Sequence, residues 1–156
     1  MGTDQGEVVE LEIPAQPEYL ALARLLVSAT AAGSPLFPHD RLDDLRLAVS
    51  EACTNAMEAQ ARARGAGDPS PHDDHIHIRC HLADEQLEIE VRDHGAGFDP
   101  DALDVHPPVT DPKRLDYERG LGIPLIRILT DEVEFLPSPE GTVVRMVLNV
   151  LQPDEG

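Results

Sequence analysis

Three short segments carry residue types and spacings that could do chemistry. The first is Ser50-Glu51-Ala52-Cys53-Thr54-Asn55-Ala56, in which Glu51 and Asn55 stand four apart and Glu58 seven from Glu51. On a helix that spacing projects all three from one face. A carboxylate there can accept a proton, and an amide oxygen can ligate a hard cation such as Mg²⁺, which takes few protein oxygens and keeps several waters. The second is Asp93-His94-Gly95-Ala96-Gly97-Phe98. An Asp there can accept a hydrogen bond from an exocyclic amine, while Gly95 and Gly97 allow the close backbone approach a flat ligand needs. The third is Arg119-Gly120-Leu121-Gly122-Ile123-Pro124. A glycine-rich turn running into a helix offers unpaired N–H groups and the positive end of the helix dipole, an anion site to which Arg119 adds a charge partner for phosphate. Each segment alone has a plain reading as a solvated helix face, a turn or a helix cap. Neither a P-loop nor a Gly-x-Gly-x-x-Gly fingerprint is present.

The elements that must position these segments follow from hydrophobic period. Val9, Leu11 and Ile13 alternate with Glu10 and Glu12 as a half-buried strand that Pro14 closes. The run Glu18 to Ala32 has helical spacing, with Tyr19, Leu22, Leu25, Leu26 and Ala29 as its expected apolar stripe, and Gly33-Ser34-Pro35 stops it. A second helix runs from about Asp40 to Arg64 with Leu42, Leu45, Val49, Cys53 and Ala56 toward a core, so Glu51, Asn55 and Glu58 fall opposite that stripe. Gly65 to Asp74 reads as a loop. Ile76, Ile78, Cys80 and Leu82, then Leu87, Ile89 and Val91, form a hairpin turning at Asp84-Glu85. Between Asp93 and Gly122 no period is sustained and four glycines and four prolines appear, a length that usually marks a functional loop. A third helix from about Ile123 to Thr130 and a hairpin of Glu132 to Leu136 and Thr142 to Val150, with a turn at Pro137 to Gly141, complete the pattern. The expected fold class is α+β: a two-layer sandwich in which a mostly antiparallel sheet of about five strands is covered on one face by three helices.

Composition narrows the function. The chain has 156 residues, 30 acidic against 12 basic side chains, a net charge of −18 and 41% hydrophobic residues. A single core of that size needs no metal or disulfide staple. Eleven Arg and the lone Lys113 leave no basic footprint for nucleic acid or an anionic membrane, and 3% aromatics without Trp offer no base-stacking platform. No signal peptide or membrane span is expected, and the isolated Cys53 and Cys80 read as reduced, buried thiols of a cytoplasmic protein. His75, His77 and His81 share a strand face, where a transition-metal site is conceivable and an exposed polar face is simpler. The acidic runs Asp43-Asp44 and Asp99 with Asp101 read as solvated surface, or as a face complementary to a basic protein partner.

Taken together and in this order, Glu51…Asn55, Asp93-x-Gly95-x-Gly97 and Gly120-x-Gly122 resemble the N, G1 and G2 boxes of the Bergerat-fold ATP-binding superfamily that includes gyrase and histidine kinases. The Glu51-Ala52-x-x-Asn55-Ala56 spelling and the short length resemble, within it, the bacterial anti-sigma factor serine/threonine kinases. The resemblance implies an ATP-binding domain over residues 8–150 with a lid at about 98–119, between a flexible start (1–7) and tail (151–156). It implies Glu51 as the carboxylate that activates the attacking hydroxyl, Asn55 as the Mg²⁺ ligand, and Asp93 as the reader of the adenine amino group. Gly95, Gly97, Gly120, Leu121 and Gly122 would shape the ATP pocket and lid, with Arg119, or else Arg114, at the γ-phosphate. It also implies that a sigma factor is bound, that an anti-anti-sigma protein is phosphorylated, and that the chain forms a homodimer. Ala59 departs from the His common in the family four residues after the Asn. The competing reading is a module of the same fold that sequesters its partner without catalysis, with ATP as a conformational ligand or with none. A detached histidine-kinase catalytic domain is disfavoured, since no helix pair with a phospho-accepting His precedes the boxes.

Overall fold

A computed structural model describes residues 6–35, 37–64, 75–83, 85–94, 122–138 and 141–150. Along the chain these form β1 (Glu7–Pro14), α1 (Leu20–Ala32), α2 (Leu42–Arg64), β2 (His75–Leu82), β3 (Gln86–Arg92), α3 (Gly122–Leu129), β4 (Glu132–Ser138) and β5 (Gly141–Asn149). One turn of 3₁₀ helix leads into α1 at Pro17–Tyr19 and into α2 at His39–Arg41, tightening starts that the apolar period alone places inside the α-helices. Pro17 costs nothing there, because a first-turn N–H has no partner to lose.

The five strands form one sheet in the order β1-β2-β3-β5-β4, every neighbouring pair antiparallel. Because side chains alternate across a strand, register assigns each face. Ile13, Ile76, Ile78, Cys80, Leu87, Ile89, Val91, Val144, Met146 and Leu148 are buried under the helices. α2 packs over β3 with α1 and α3 on its two sides, and Leu45, Ala48, Val49, Ala52, Cys53, Ala56 and Met57 seal it to the sheet. The two-layer expectation and the α2 stripe therefore hold.

The opposite face of the sheet is polar. One row across all five strands reads Glu10, Arg79, Glu90, Arg145, Glu134, alternating in sign. Arg145 donates to Glu88 at 2.6 Å and to Glu134 at 2.7 Å, and Arg79 lies 3.7 Å from both Glu10 and Glu90. These cross-strand pairs hold register without a second layer.

Two expectations need correction. The stripe assigned to α1 is displaced in part: Tyr19 and Leu26 pack against the core, but the buried side is Ala23, Val27, Thr30 and Ala31, while Leu22, Leu25 and Ala29 face outward. A helix apolar nearly all round has no periodicity from which the buried side can be chosen. The turn expected from Pro137 to Gly141 is also shorter, since β4 runs to Ser138 and β5 begins at Gly141. Pro137 is tolerated because β4 is an edge strand.

Candidate functional site

The best-defined part of the site lies where β3 ends beside the start of β5. Asp93 is buried, its N–H donates to Thr142 C=O at 3.0 Å, and its Oδ1 accepts from Thr142 N–H at 3.2 Å. This reciprocal bridge carries the strand pairing one residue past β3 and holds the carboxylate on the helix-covered side. Gly141 makes the approach possible. Its φ is +138°, a region that favours glycine, and a Cβ there would lie 2.1 Å from the Asp93 carbonyl oxygen. From the other layer, Gln60 near the end of α2 is buried and its Oε1 accepts the His94 N–H at 3.0 Å. Asp93-His94 is thus clamped by β5 below and α2 above.

Two buried polar groups near these elements have no protein partner among the described residues: Thr142 Oγ1 and Asn55 Nδ2. Native interiors leave few such groups, and a ligand or an ordered water is one way in which their bonding is completed. Thr142 is fully buried on the same side of the sheet as Asp93, so its hydroxyl adds a donor-acceptor near an acceptor. The pair is suited to a heterocycle that offers an exocyclic amine and a ring nitrogen.

Glu51, Asn55 and Glu58 lie on the expected side of α2, but all three are half-buried, not solvated. α3 packs beside α2, and Gly122 opens α3, which brings the N-terminus of that helix to the same layer. Gly95, Gly97, Arg114, Arg119, Gly120 and Leu121, with the segment 98–119, lie outside the described residues. Sequence reasoning missed Gly141, Thr142 and Gln60. Gly141 and Thr142 read as a turn end and a strand start, and the signal that could have found Gln60 is a polar residue four after Ala56, in line with the apolar stripe of α2.

The remaining polar groups are structural. Asp131 Oδ2 accepts from the Asn149 N–H at 2.6 Å and from Arg41 Nη1 at 2.9 Å, and Arg41 Nη2 also donates to the Leu129 carbonyl at 3.2 Å. Burial works against ionisation of Asp131, but the Asn149 N–H and the Arg41 guanidinium outweigh it and hold the carboxyl below the usual range. Burial pushes the Cys53 thiol up to about 12 and the Cys80 thiol up to about 11, so both are inert, as expected. His77 lies 3.6 Å from Glu12 and edge-on to His94 on the open sheet face. No three His, Cys, Asp or Glu among the described residues are placed to hold a metal. No helix among the described residues is long and apolar enough to cross a membrane.

The family model described as "Histidine kinase-like ATPase domain" matches residues 13–148. The chain is similar to Serine-protein kinase RsbW of Bacillus velezensis, 35% identical over 155 residues covering 96% of this chain and 91% of that protein. To Serine-protein kinase RsbW of Bacillus subtilis it is 34% identical over 146 residues, covering 92% and 86%. Among solved structures it is similar to the RsbU and RsbW domains of a Mycobacterium tuberculosis protein, with TM-score 0.64 and 17% identity over 94% of this chain. The chain spans 33% of that longer polypeptide. It is also similar to the SiaB-SiaC complex of Pseudomonas aeruginosa, with TM-score 0.53, 12% identity and 90% and 88% coverage. At those identities the two structures speak to the fold alone.

Proposed function

The chain belongs to the histidine kinase-like ATPase domain family and, within it, to the RsbW serine-protein kinases, and from that membership we propose an ATP- and Mg²⁺-dependent serine/threonine kinase that acts as an anti-sigma factor. It binds a sigma factor, phosphorylates the anti-anti-sigma protein that competes for it, works in the cytoplasm and assembles as a homodimer. Residues 8–150 are its ATP-binding domain, with 98–119 as the lid.

The observation that carries the nucleotide reading is the Asp93–Thr142 bridge with an unused buried hydroxyl beside it. Asp93 accepts the adenine amino group, and Thr142 Oγ1 meets the ring directly or through one water. Asn55 has a buried amide nitrogen with no partner among the described residues, which fits a residue whose oxygen turns to Mg²⁺. Amide N and O are assigned from partners, and among the described residues there is none to decide the orientation. When bound, Mg²⁺ neutralises charge on the phosphate oxygens. Glu51, four residues earlier on α2, takes the proton of the substrate serine as its oxygen bonds to the γ-phosphorus and the bond from that phosphorus to the β-phosphate oxygen breaks. The glycines Gly95, Gly97, Gly120 and Gly122 and Leu121 let backbone approach the triphosphate, the N-terminus of α3 faces its charge, and Arg119 pairs with the γ-phosphate.

Isothermal titration with ATP, with and without Mg²⁺, tests this on wild type and Asp93→Asn. The variant keeps an acceptor for Thr142 N–H but replaces the second carboxylate oxygen with a donor. Saturable, Mg²⁺-dependent binding that Asp93→Asn weakens at least tenfold is expected. Equal binding by a normally folded variant removes Asp93 as the adenine reader. No binding by wild type leaves a purely sequestering module.

A further inference from the structure

We propose that Gln60 is a positioning residue for base recognition: it holds Asp93-His94 in place against α2, so that the preference for adenine depends on a side chain that need not touch the base. This rests on the nucleotide reading above and extends it to a residue outside the three segments that carry the chemistry.

A buried glutamine in an apolar stripe needs a reason. Gln60 is 5% exposed and continues the line of Val49, Cys53 and Ala56 on the core side of α2, where an apolar side chain would bury at no polar cost. Its Oε1 accepts the His94 N–H at 3.0 Å. That N–H only donates, which identifies the amide atom it meets as oxygen. The sheet explains why such a partner is needed. β3 pairs with β2 only as far as Arg92, opposite His77, although β2 continues to His75 beside Pro14 of β1. On the β5 side the Asp93 N–H still bonds to Thr142. N–H groups of successive residues in an extended chain point to opposite sides, so the His94 N–H is the first on the β2 side beyond the end of that ladder. Gln60 reaches it from the helix layer and replaces the missing strand carbonyl.

The consequence falls on Asp93. Its Oδ1 accepts the Thr142 N–H, so the aim of its second carboxylate oxygen depends on how firmly the backbone is held at 93 and 94. β5 holds residue 93, and Gln60 holds residue 94. Gln60 also belongs to the helix that carries Glu51 and Asn55. At about 1.5 Å per residue it stands roughly 13 Å along the α2 axis from Glu51 and roughly 7 Å from Asn55. One rigid helix therefore fixes the base end of the pocket relative to the residues proposed to meet Mg²⁺ and the substrate serine. Misplacement of a reacting group by about 1 Å costs on the order of 10²-fold in rate, so a link between the two ends serves transfer as well as binding.

The test compares ATP with inosine triphosphate, which carries a carbonyl oxygen in place of the exocyclic amine, by calorimetric titration of the full chain. Gln60→Met keeps the length and suits the apolar stripe but has no oxygen for the His94 N–H, whereas Gln60→Glu keeps one in either protonation state. Wild type should prefer ATP by about tenfold or more. Gln60→Met, with a wild-type circular dichroism spectrum and a cooperative melt, should lose about 5- to 10-fold in ATP affinity while its affinity for inosine triphosphate stays within about twofold, so that the preference collapses. Gln60→Glu should restore most of it. Without nucleotide, amide exchange at His94 should be fast in Gln60→Met and close to wild type in Gln60→Glu. A Gln60→Met variant that keeps the full preference, that loses both nucleotides equally, or that leaves the His94 amide protected overturns the positioning role and leaves Gln60 as a packing residue, with Asp93 untouched as the adenine reader. A wild type that binds both nucleotides alike, or neither, removes Asp93 as that reader and this inference with it.

Discussion

Replacing Thr142 with Val separates a ligand-binding role from a structural one, because the two give effects of opposite sign. Thr142 is fully buried, its hydroxyl has no partner among the described residues, and its links to Asp93 run through its own backbone N–H and C=O, which the substitution leaves in place. A buried unsatisfied polar group costs about 1–3 kcal/mol. Val is close in volume, β-branched and favourable on a strand. The nucleotide-free variant should therefore be as stable as wild type or about 1 kcal/mol more so, a rise in melting temperature of roughly 2–4 °C for a domain of this size. ATP binding should move the other way. Loss of one neutral hydrogen bond, with a polar ligand atom or its bridging water left short of a partner, costs about 1–3 kcal/mol, or roughly 5- to 150-fold in Kd. Calorimetric titration and thermal melts on the same preparations read both quantities. A variant with a lowered melting temperature and unchanged ATP affinity would refute the assignment, for it would show that the hydroxyl serves the fold and not a ligand.

Three further outcomes follow from the same geometry. Glu51→Ala should slow phosphate transfer to the antagonist by about 10²–10⁴-fold, the usual range for a general base, and leave ATP affinity within threefold; equal losses in both assays would place Glu51 in binding and not in proton transfer. Arg41→Ala should destabilise the fold by about 1 kcal/mol at neutral pH, an amount held down by partial exposure of the pair. Asp131 has its folded pKa below the unfolded value of about 3.9, so its contribution is full above that value and disappears as pH falls through the folded one; the deficit of the variant should shrink in acid, and a pH-independent deficit contradicts the linkage. Cys53 and Cys80 should resist a thiol reagent at pH 8 in the native protein and both react in denaturant, whereas rapid labelling of either native thiol would mean that the α2–sheet interface opens readily.

Much of this molecule was legible because its elements obey local rules. The alternation of Ile76, Ile78, Cys80 and Leu82 against Leu87, Ile89 and Val91 can be satisfied only by a hairpin with one buried face, and its register follows the pattern. The α2 stripe was clearer, since the side of the helix opposite it carries Asp43, Asp44, Glu51, Thr54 and Glu58, with Leu47 the one large apolar residue among them. α1 failed the same test: leucines and alanines surround its axis, so the helix was certain and its buried side was not. The carboxylate, amide and glycine positions were visible as spacing along the chain, Glu51 to Asn55 on one helix turn and Asp93 just past a strand end.

Local period and turn chemistry in the sequence therefore determined the order of elements, the antiparallel hairpins, the core of α2 and the segments that carry chemistry. The tertiary structure decided which groups from distant segments meet. Gly141 admits the Asp93 backbone, Thr142 bridges it with a hydroxyl that has no partner among the described residues, and Gln60 clamps His94 from the other layer. Such contacts join residues 34 and 49 positions apart, and no periodic signal spans that distance, because period reports only which way a side chain points from its own element and not what it finds there.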